Sequence, residues 1–335
     1  MSAFAAIPIP APQWILTYSG VNISSDISAM VRGISYTDRL GGASGELSVE
    51  IEDRAQQWQG PWYPALGDVV SALIGYQGGT LLECGSFEVD DLELGGPPDV
   101  FRLRGLAAYI TPAMRTRNCV AYEGQTLGEI AATIAAKYGL QLVSAAALAD
   151  PVFARVTQRD ESDLEFLTRL ADEFDYIFTV RGTQLVFYPR AALEAAAPVA
   201  TIVRGDLQRF EFRNRTRRIY STASAAYFDP SAKQLIAQQT SAASAMPTGD
   251  TLKLIARCEN STQAAMRAAA GLNRNNRYFI RARLAGPGNP ALGAGSNVLL
   301  SGWGAFDGTY LIETALHRVS RATGYITELV LRQVI

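Results

Sequence analysis

Histidine is almost absent: His317 stands alone among 335 residues. One imidazole cannot build a multi-histidine metal centre, and no cysteine–histidine cluster surrounds it in sequence. Cysteine is nearly as scarce. Cys84, Cys119 and Cys258 are odd in number, far apart and form no Cys-x-x-Cys pair. That excludes a disulfide framework and fits small buried hydrophobes in a reducing compartment. Lysine is rare too, with Lys137, Lys233 and Lys253 set against 27 arginines. The formal net charge of −2 leaves no global field to draw the chain to nucleic acid or an anionic membrane. No apolar window of about 18 residues exists, so no bilayer-spanning helix and no membrane insertion are expected. The stretch Met1–Pro12 lacks a basic residue and is interrupted by Pro8, Pro10 and Pro12, unlike a secretory signal. No Gly-x-Ser-x-Gly elbow is present, and none of the lysines follows a glycine at Walker spacing.

What is present is bulk and pattern. Hydrophobic residues make up 48% of the chain, enough to fill two or three packed cores without staples. In Glu46–Glu52, Leu47, Val49 and Ile51 alternate with polar residues, the period of a strand with one dry face. Gly41, Gly42 and Gly45 mark a turn before it. Val69–Tyr76 is nearly continuous in apolar residues, which predicts a strand buried on both sides. Gly78-Gly79 links it as a hairpin to Leu81–Val89. The first third therefore reads as a barrel or sandwich.

The middle third changes period. Leu127, Ile130, Ile134 and Tyr138 share a helical face over Thr126–Tyr138, with Gly139 as C-cap. Leu164, Leu167, Leu170 and Phe174 repeat the pattern over Asp160–Phe174, where Ser162 or Asp160 suits the N-cap. Strands Tyr176–Val180 and Gln184–Tyr188 follow, and alanine-rich 191–200 reads as an exit linker. The last third returns to β. Phe210, Phe212 and Ile219 lie in strand-like sequence, and Ser241–Gly249 reads as a loop. A helix is predicted over 261–273, capped by Ser261, with Ala264, Ala265, Ala268 and Leu272 inward. Strands are predicted at Asn297–Leu300, Gly308–Thr314 and Tyr325–Val334.

Two charged groupings invite a functional reading. Asp160, Glu161, Asp163 and Glu165, then Asp172, Glu173 and Asp175, supply paired carboxylates of the kind glycosidases use. Their position at a helix start and on its polar face favours a solvated surface. Arg213, Arg215, Arg217 and Arg218 form a stripe, and in a strand the first three share one face. Arg274, Arg277, Arg281 and Arg283 form a second. Such stripes suit acidic partner surfaces or phosphates alike. A high-GC genome gives the same arginine bias.

Three segments carry a resemblance. Gln158 through Ala171 contains the Glu-Ser-Asp-x-x-Phe-Leu-x-Arg-Leu-Ala run, and Gly124-Gln125-Thr126-Leu127 with Ile130-Ala131 and Gly139-Leu140 precedes it. Gly288–Leu292, Ser301–Gly304 and Phe306–Tyr310 lead to His317. In this order they resemble the phage late control protein D family, related to contractile-tail baseplate hubs and to the N-terminal part of type VI secretion spike proteins. His317 is then a motif residue without an evident physical role.

The resemblance implies a mainly β, α+β fold. Two barrel-like domains, 1–108 and 199–335 (the second carrying helix 261–273), flank a small α+β insert at 109–198. It further implies a homotrimer whose six similar barrels adapt a sixfold tail tube above to a threefold spike below. Contacts with tape-measure and other baseplate proteins would follow. The place would be the baseplate of a virion or tail particle, assembled in the host bacterial cytoplasm. The chain ends soon after its last strand, so the spike is expected to be a separate protein. No catalytic, metal or cofactor residue is expected; the arginines 213, 215, 217 and 218 are the candidates for passage or subunit joint. Two other classes remain as alternatives. One is a peptidoglycan-degrading baseplate enzyme, since helix 126–138 faintly resembles a LysM wall-binding sequence. The other is a nucleic-acid binder using the 213–218 cluster.

Overall fold

The computed structural model describes residues 11–41, 45–107, 110–145, 150–229, 233–244, 246–254 and 258–334. Gly42 and most of the apolar N-terminal stretch lie outside these residues, as does Ala245 within the expected 241–249 loop.

The first part is built from β1 (Pro12–Tyr18), β2 (Val21–Asn22), the one-turn α1 (Ser24–Ile27), β3 (Val31–Arg39), β4 (Glu46–Glu52), β5 (Val69–Tyr76), β6 (Leu81–Gly95) and β7 (Val100–Ala107). Alternation does its predicted work in β4: Leu47, Val49 and Ile51 are buried against Val70, Ile74, Phe87 and Phe101. β5 departs from expectation. Val70, Ala72 and Ile74 are buried while Val69 is exposed, so the strand has one dry face rather than two. Ser71 on the other face shows why an apolar run overstates burial.

The middle part holds α2 (Pro112–Arg115), β8 (Arg117–Thr126), α3 (Leu127–Lys137), β9 (Gln141–Val143), β10 (Val152–Ser162), α4 (Asp163–Phe174), β11 (Tyr176–Arg181), β12 (Gln184–Pro189) and α5 (Arg190–Glu194). Both main helices start with reciprocal capping boxes, Thr126 with Glu129 and Ser162 with Glu165. Ser162, not Asp160, is therefore the cap of α4. Asp160 instead sits at a bulge between β10 and β8 with φ +51°. The supposed linker after 190 begins with the short helix α5.

The last part comprises β13 (Ala200–Val203), β14 (Arg209–Asn214), β15 (Thr222–Asp229), β16 (Gln234–Ser241), β17 (Thr251–Leu254), α6 (Ser261–Asn276), β18 (Ile280–Pro287), β19 (Asn297–Ser301), β20 (Gly308–Ser320) and β21 (Gly324–Gln333). Asn260, not Ser261, caps α6 by accepting from the Gln263 amide. Ala265 is exposed, whereas Gln263 is buried in its place because its side chain reaches the Val152 carbonyl.

One sheet joins the two ends of the chain. Its order is β14-β18-β21-β20-β3-β4-β7-β6-β5-β1-β2, with β19 and β13 branching from β20. The link between the halves is the antiparallel pairing of β20 with β3, from Thr314↔Arg39 to Ser320↔Gly33. Two separate cores lie along it. Ile34, Val49, Phe87 and Phe101 belong to the first; Ile280, Val298, Tyr310 and Leu331 belong to the second. β20 and β21 serve both, giving Val319 and Tyr325 to the first and Ile312 and Leu329 to the second. The middle part has its own core around Leu127, Ile134, Phe166 and Leu170. α6 packs on the β16-β15-β17 sheet through Ala264, Ala268 and Leu272. It leans on α4 rather than on the second core: Arg267 reaches Glu173 at 2.6 Å, and Met266 packs against the middle core.

Candidate assembly site

The motif residue His317 has a physical role. It is fully buried in β20 between two hydrogen bonds. Nε2 lies 3.1 Å from the Leu292 carbonyl, and Nδ1 lies 2.8 Å from the Tyr325 hydroxyl. A carbonyl can only accept, so Nε2 carries the proton and Nδ1 accepts from Tyr325. Burial, opposed by the bond to Leu292, lowers the imidazole pKa to about 4. His317 is thus a neutral clamp between the sheet and the 288–292 loop. Thr327 strengthens it, accepting the Asn289 amide at 2.9 Å beside Nδ1. The glycine and histidine signatures of the sequence therefore meet at one point.

Asp38 anchors the same loop from β3. One carboxylate oxygen accepts the Ala294 amide at 2.8 Å; the other takes Arg181 from β11 at 2.8 Å. Burial raises its pKa, against the pull of Arg181. Both halves of the chain and the middle part thus converge on this carboxylate.

A second junction is ionic. Arg332, only 2% exposed, contacts Glu194 at 2.5 Å and Glu313 at 3.5 Å. Asp175, in the left-handed conformation that ends α4, faces Arg277 at 2.6 Å and Arg190 at 3.3 Å. Burial first, then the like charge of Arg277, lowers the Arg190 pKa to about 10. Asn297 closes α5 by donating to the carbonyls of Leu193 and Ala196 at 2.8 and 2.7 Å. These contacts tie α5, α4 and α6 to the sheet.

The carboxylate cluster at the start of α4 is not a solvated face throughout. Asp163 is 1% exposed and meets Lys137 at 2.7 Å, Tyr138 at 2.6 Å and Gln158 at 2.8 Å. Burial alone would raise its pKa; these donors outweigh it and lower the pKa. Glu161 and Glu173 both pair with Arg169. Each of these carboxylates is engaged in a structural contact. Among the described residues no group of three His, Cys, Asp or Glu side chains is placed to hold a metal, and no helix is long and apolar enough to cross a membrane.

The arginine stripe is partly dissolved. Arg213 lies in β14, opposite Arg281 of β18. The strand ends at Asn214, Arg215 donates its amide to Phe279, and Arg217 and Arg218 occupy a turn where Arg218 has φ +63°. A shared strand face for 213, 215 and 217 is therefore not realised. Arg213, Arg217 and Arg218 are exposed, and among the described residues none of the four makes an ion pair. In the second cluster Arg277 is drawn into the buried network and Arg281 stacks on Tyr278. Cys84 and Cys258 are buried as expected, but Cys119 is exposed on β8.

The architecture has known counterparts. The sequence profile of the phage tail baseplate hub (GPD) family matches residues 99–323. The chain belongs to that family. It is 30% identical over 219 residues to a probable baseplate hub protein of Escherichia phage 186, and 30% over 218 residues to that of phage P2. Each alignment covers 64% of this chain and 56% of the relative, so the chain spans little more than half the length of these hub proteins. Solved tail proteins share the fold at low identity. A prophage MuSo2 43 kDa tail protein from Shewanella oneidensis superposes with TM-score 0.74 at 17% identity, covering 97% of this chain and 99% of that one. A Neisseria meningitidis tail protein gives 0.71 at 13%, covering 96% of each. An Escherichia coli type VI secretion component gives 0.57 at 15%, covering 90% and 73%. The hub fold is thus mainly β with an α+β middle, as the sequence pattern implied.

Proposed function

We propose that this hub protein is a homotrimeric collar with a mechanical role, joining a sixfold tail tube to a separate threefold spike in the baseplate of a phage or tail-like particle. The observation that carries the reading is the β3–β20 pairing. It sets two β cores side by side along one sheet, which supports a reading in which each end of the chain forms a ring module and three copies supply six modules around an axis. The proposed division follows: 1–108 and 199–335 as ring modules, 109–198 as the insert between them, with 222–276 leaning on the insert. Contacts with tape-measure and other baseplate proteins, and assembly in the host cytoplasm, belong to the same reading. Arg213, Arg215, Arg217 and Arg218 line the passage or a subunit joint; their unpaired charge supports this. Catalysis is not part of the proposed role; Glu161, Asp163, Glu173 and Asp175 are engaged in ion pairs, which supports this.

Sedimentation and electron microscopy of the purified chain, alone and with tube and spike proteins, test the proposal. Trimers or ring particles are expected. A strictly monomeric species under all these conditions overturns it. Clearing of cell-wall material in a zymogram overturns the non-catalytic part.

A further inference from the structure

Two surfaces of the chain complement each other in charge and in apolar content, and each carries exposed charge that is weakly paired or unpaired among the described residues, although Arg169 and Arg267 at the groove's inner side are held by Glu161 and Glu173. The first is a groove of about 550 Å³ between β10, α4 and α6. Phe153 and Val156 form its apolar floor, and four of its lining side chains are arginines against two glutamates. Arg155 and Arg159 lie four residues apart, two strand periods, on one face of β10. Arg159 has no ion-pair partner among the described residues; Arg155 has only Glu123 at 3.6 Å, with both side chains 63% exposed. Arg267 has its Nε buried without a hydrogen-bond partner.

The second surface lies on the first module. Glu88 and Asp90 of β6 are exposed and make no ion pair among the described residues. Glu88 sits in register between Val69 and Leu106, which are 43% and 42% exposed. The Gly67 amide donates to the Val89 carbonyl at 2.8 Å and the Val89 amide donates to the Asp68 carbonyl at 2.9 Å, which holds the 65–69 turn, with Leu66 67% exposed, against β6. Large exposed aliphatic side chains beside uncompensated charge are a docking signature.

We infer that the occupant of the arginine groove is a second copy of this chain, which inserts its Glu88–Asp90 surface between Arg155 and Arg159. The inference rests on the trimer reading and names its joint. Because the two surfaces differ, the contact is heterologous, and repetition by a threefold rotation closes it into a ring. Buried together, the carboxylates find guanidinium donors and the aliphatic side chains leave water.

Charge exchange tests it, read by sedimentation velocity over a dilution series. The double variant Arg155→Glu/Arg159→Glu and the double variant Glu88→Arg/Asp90→Arg should each weaken trimer formation by about a hundredfold, since like charges then face each other. The variant carrying all four changes should regain the trimer. Circular dichroism melts confirm that each variant folds; all changed positions are exposed, so the melts should match the parent. A trimer that survives either double reversal, or folded variants whose fourfold combination fails to recover, overturns this joint while leaving the trimer standing. A parent chain that stays monomeric with tube and spike proteins present overturns the trimer and the joint together.

Discussion

Gly288 lies flat against the ring of Tyr325: a Cβ at 288 would stand 2.1 Å from the ring's Cγ. The clash is with the body of the ring, which cannot swing away because its hydroxyl is held by His317. Gly288→Ala should therefore destabilise the chain by about 1–3 kcal/mol or more through overpacking. Chemical denaturation of the variant against the parent measures it; an unchanged midpoint contradicts the packing.

His317 makes stability depend on acid. Its folded pKa of about 4 lies below the ordinary value of 6.5, so between these pH values the unfolded chain binds the extra proton. Stability from this site is fully present above pH 6.5 and is lost as pH falls towards 4, by roughly 3 kcal/mol in total. Asp38, with its raised pKa, and the tyrosines 36 and 325 face the same pocket, so the comparison must be with a variant. His317→Gln should be less stable at neutral pH and should lose less between pH 6.5 and 4. Parallel acid-denaturation curves for the two would refute this assignment.

Arg332 is a buried cation with two carboxylate partners. Arg332→Ala leaves Glu313 and Glu194 facing a cavity and should cost about 3–5 kcal/mol. Arg332→Met, which fills the space, should cost less than Arg332→Ala in the same thermal melt. Equal losses would mean that the lost charge, and not the lost volume, sets the cost there.

Ser162 accepts the Glu165 amide, and Glu165 returns a bond to the Ser162 amide. Ser162→Ala should cost about 1 kcal/mol, because one orphan donor at the start of α4 loses its partner. Hydrogen exchange at the first turn of α4 should rise with it; protection equal to the parent's would argue that water replaces the cap.

Replacing Arg213, Arg217 and Arg218 together by serine should leave the melt within about 0.5 kcal/mol of the parent, since these side chains are exposed and make no ion pair among the described residues. Any defect should then appear in ring formation or tube attachment, scored by electron microscopy. A large loss of stability would assign them a folding role instead.

Local order was legible in the chain itself. The period of two in β4 and β21, the period of 3.6 in α3 and α4, and the Ser162 cap of α4 all depend on neighbours within four residues, and all form as spaced. The three motif segments placed the family for the same reason: they are contiguous strings. Partnership over distance was not legible. Asp38 and Arg181 are 143 residues apart, and Arg332 and Glu194 are 138 apart. Nothing in their spacing marks them as partners. Asp163 read as solvent-facing because periodicity reports a helix face, not the lysine and tyrosine that cover it from α3. The arginine stripe failed for the converse reason: a strand register holds only while a partner strand continues, and β18 offers β14 no partner beyond Ile280. Sequence determined which segments become strands and helices; only tertiary contact decided which charges leave water, because burial of a charge is set by the groups that arrive from elsewhere in the chain.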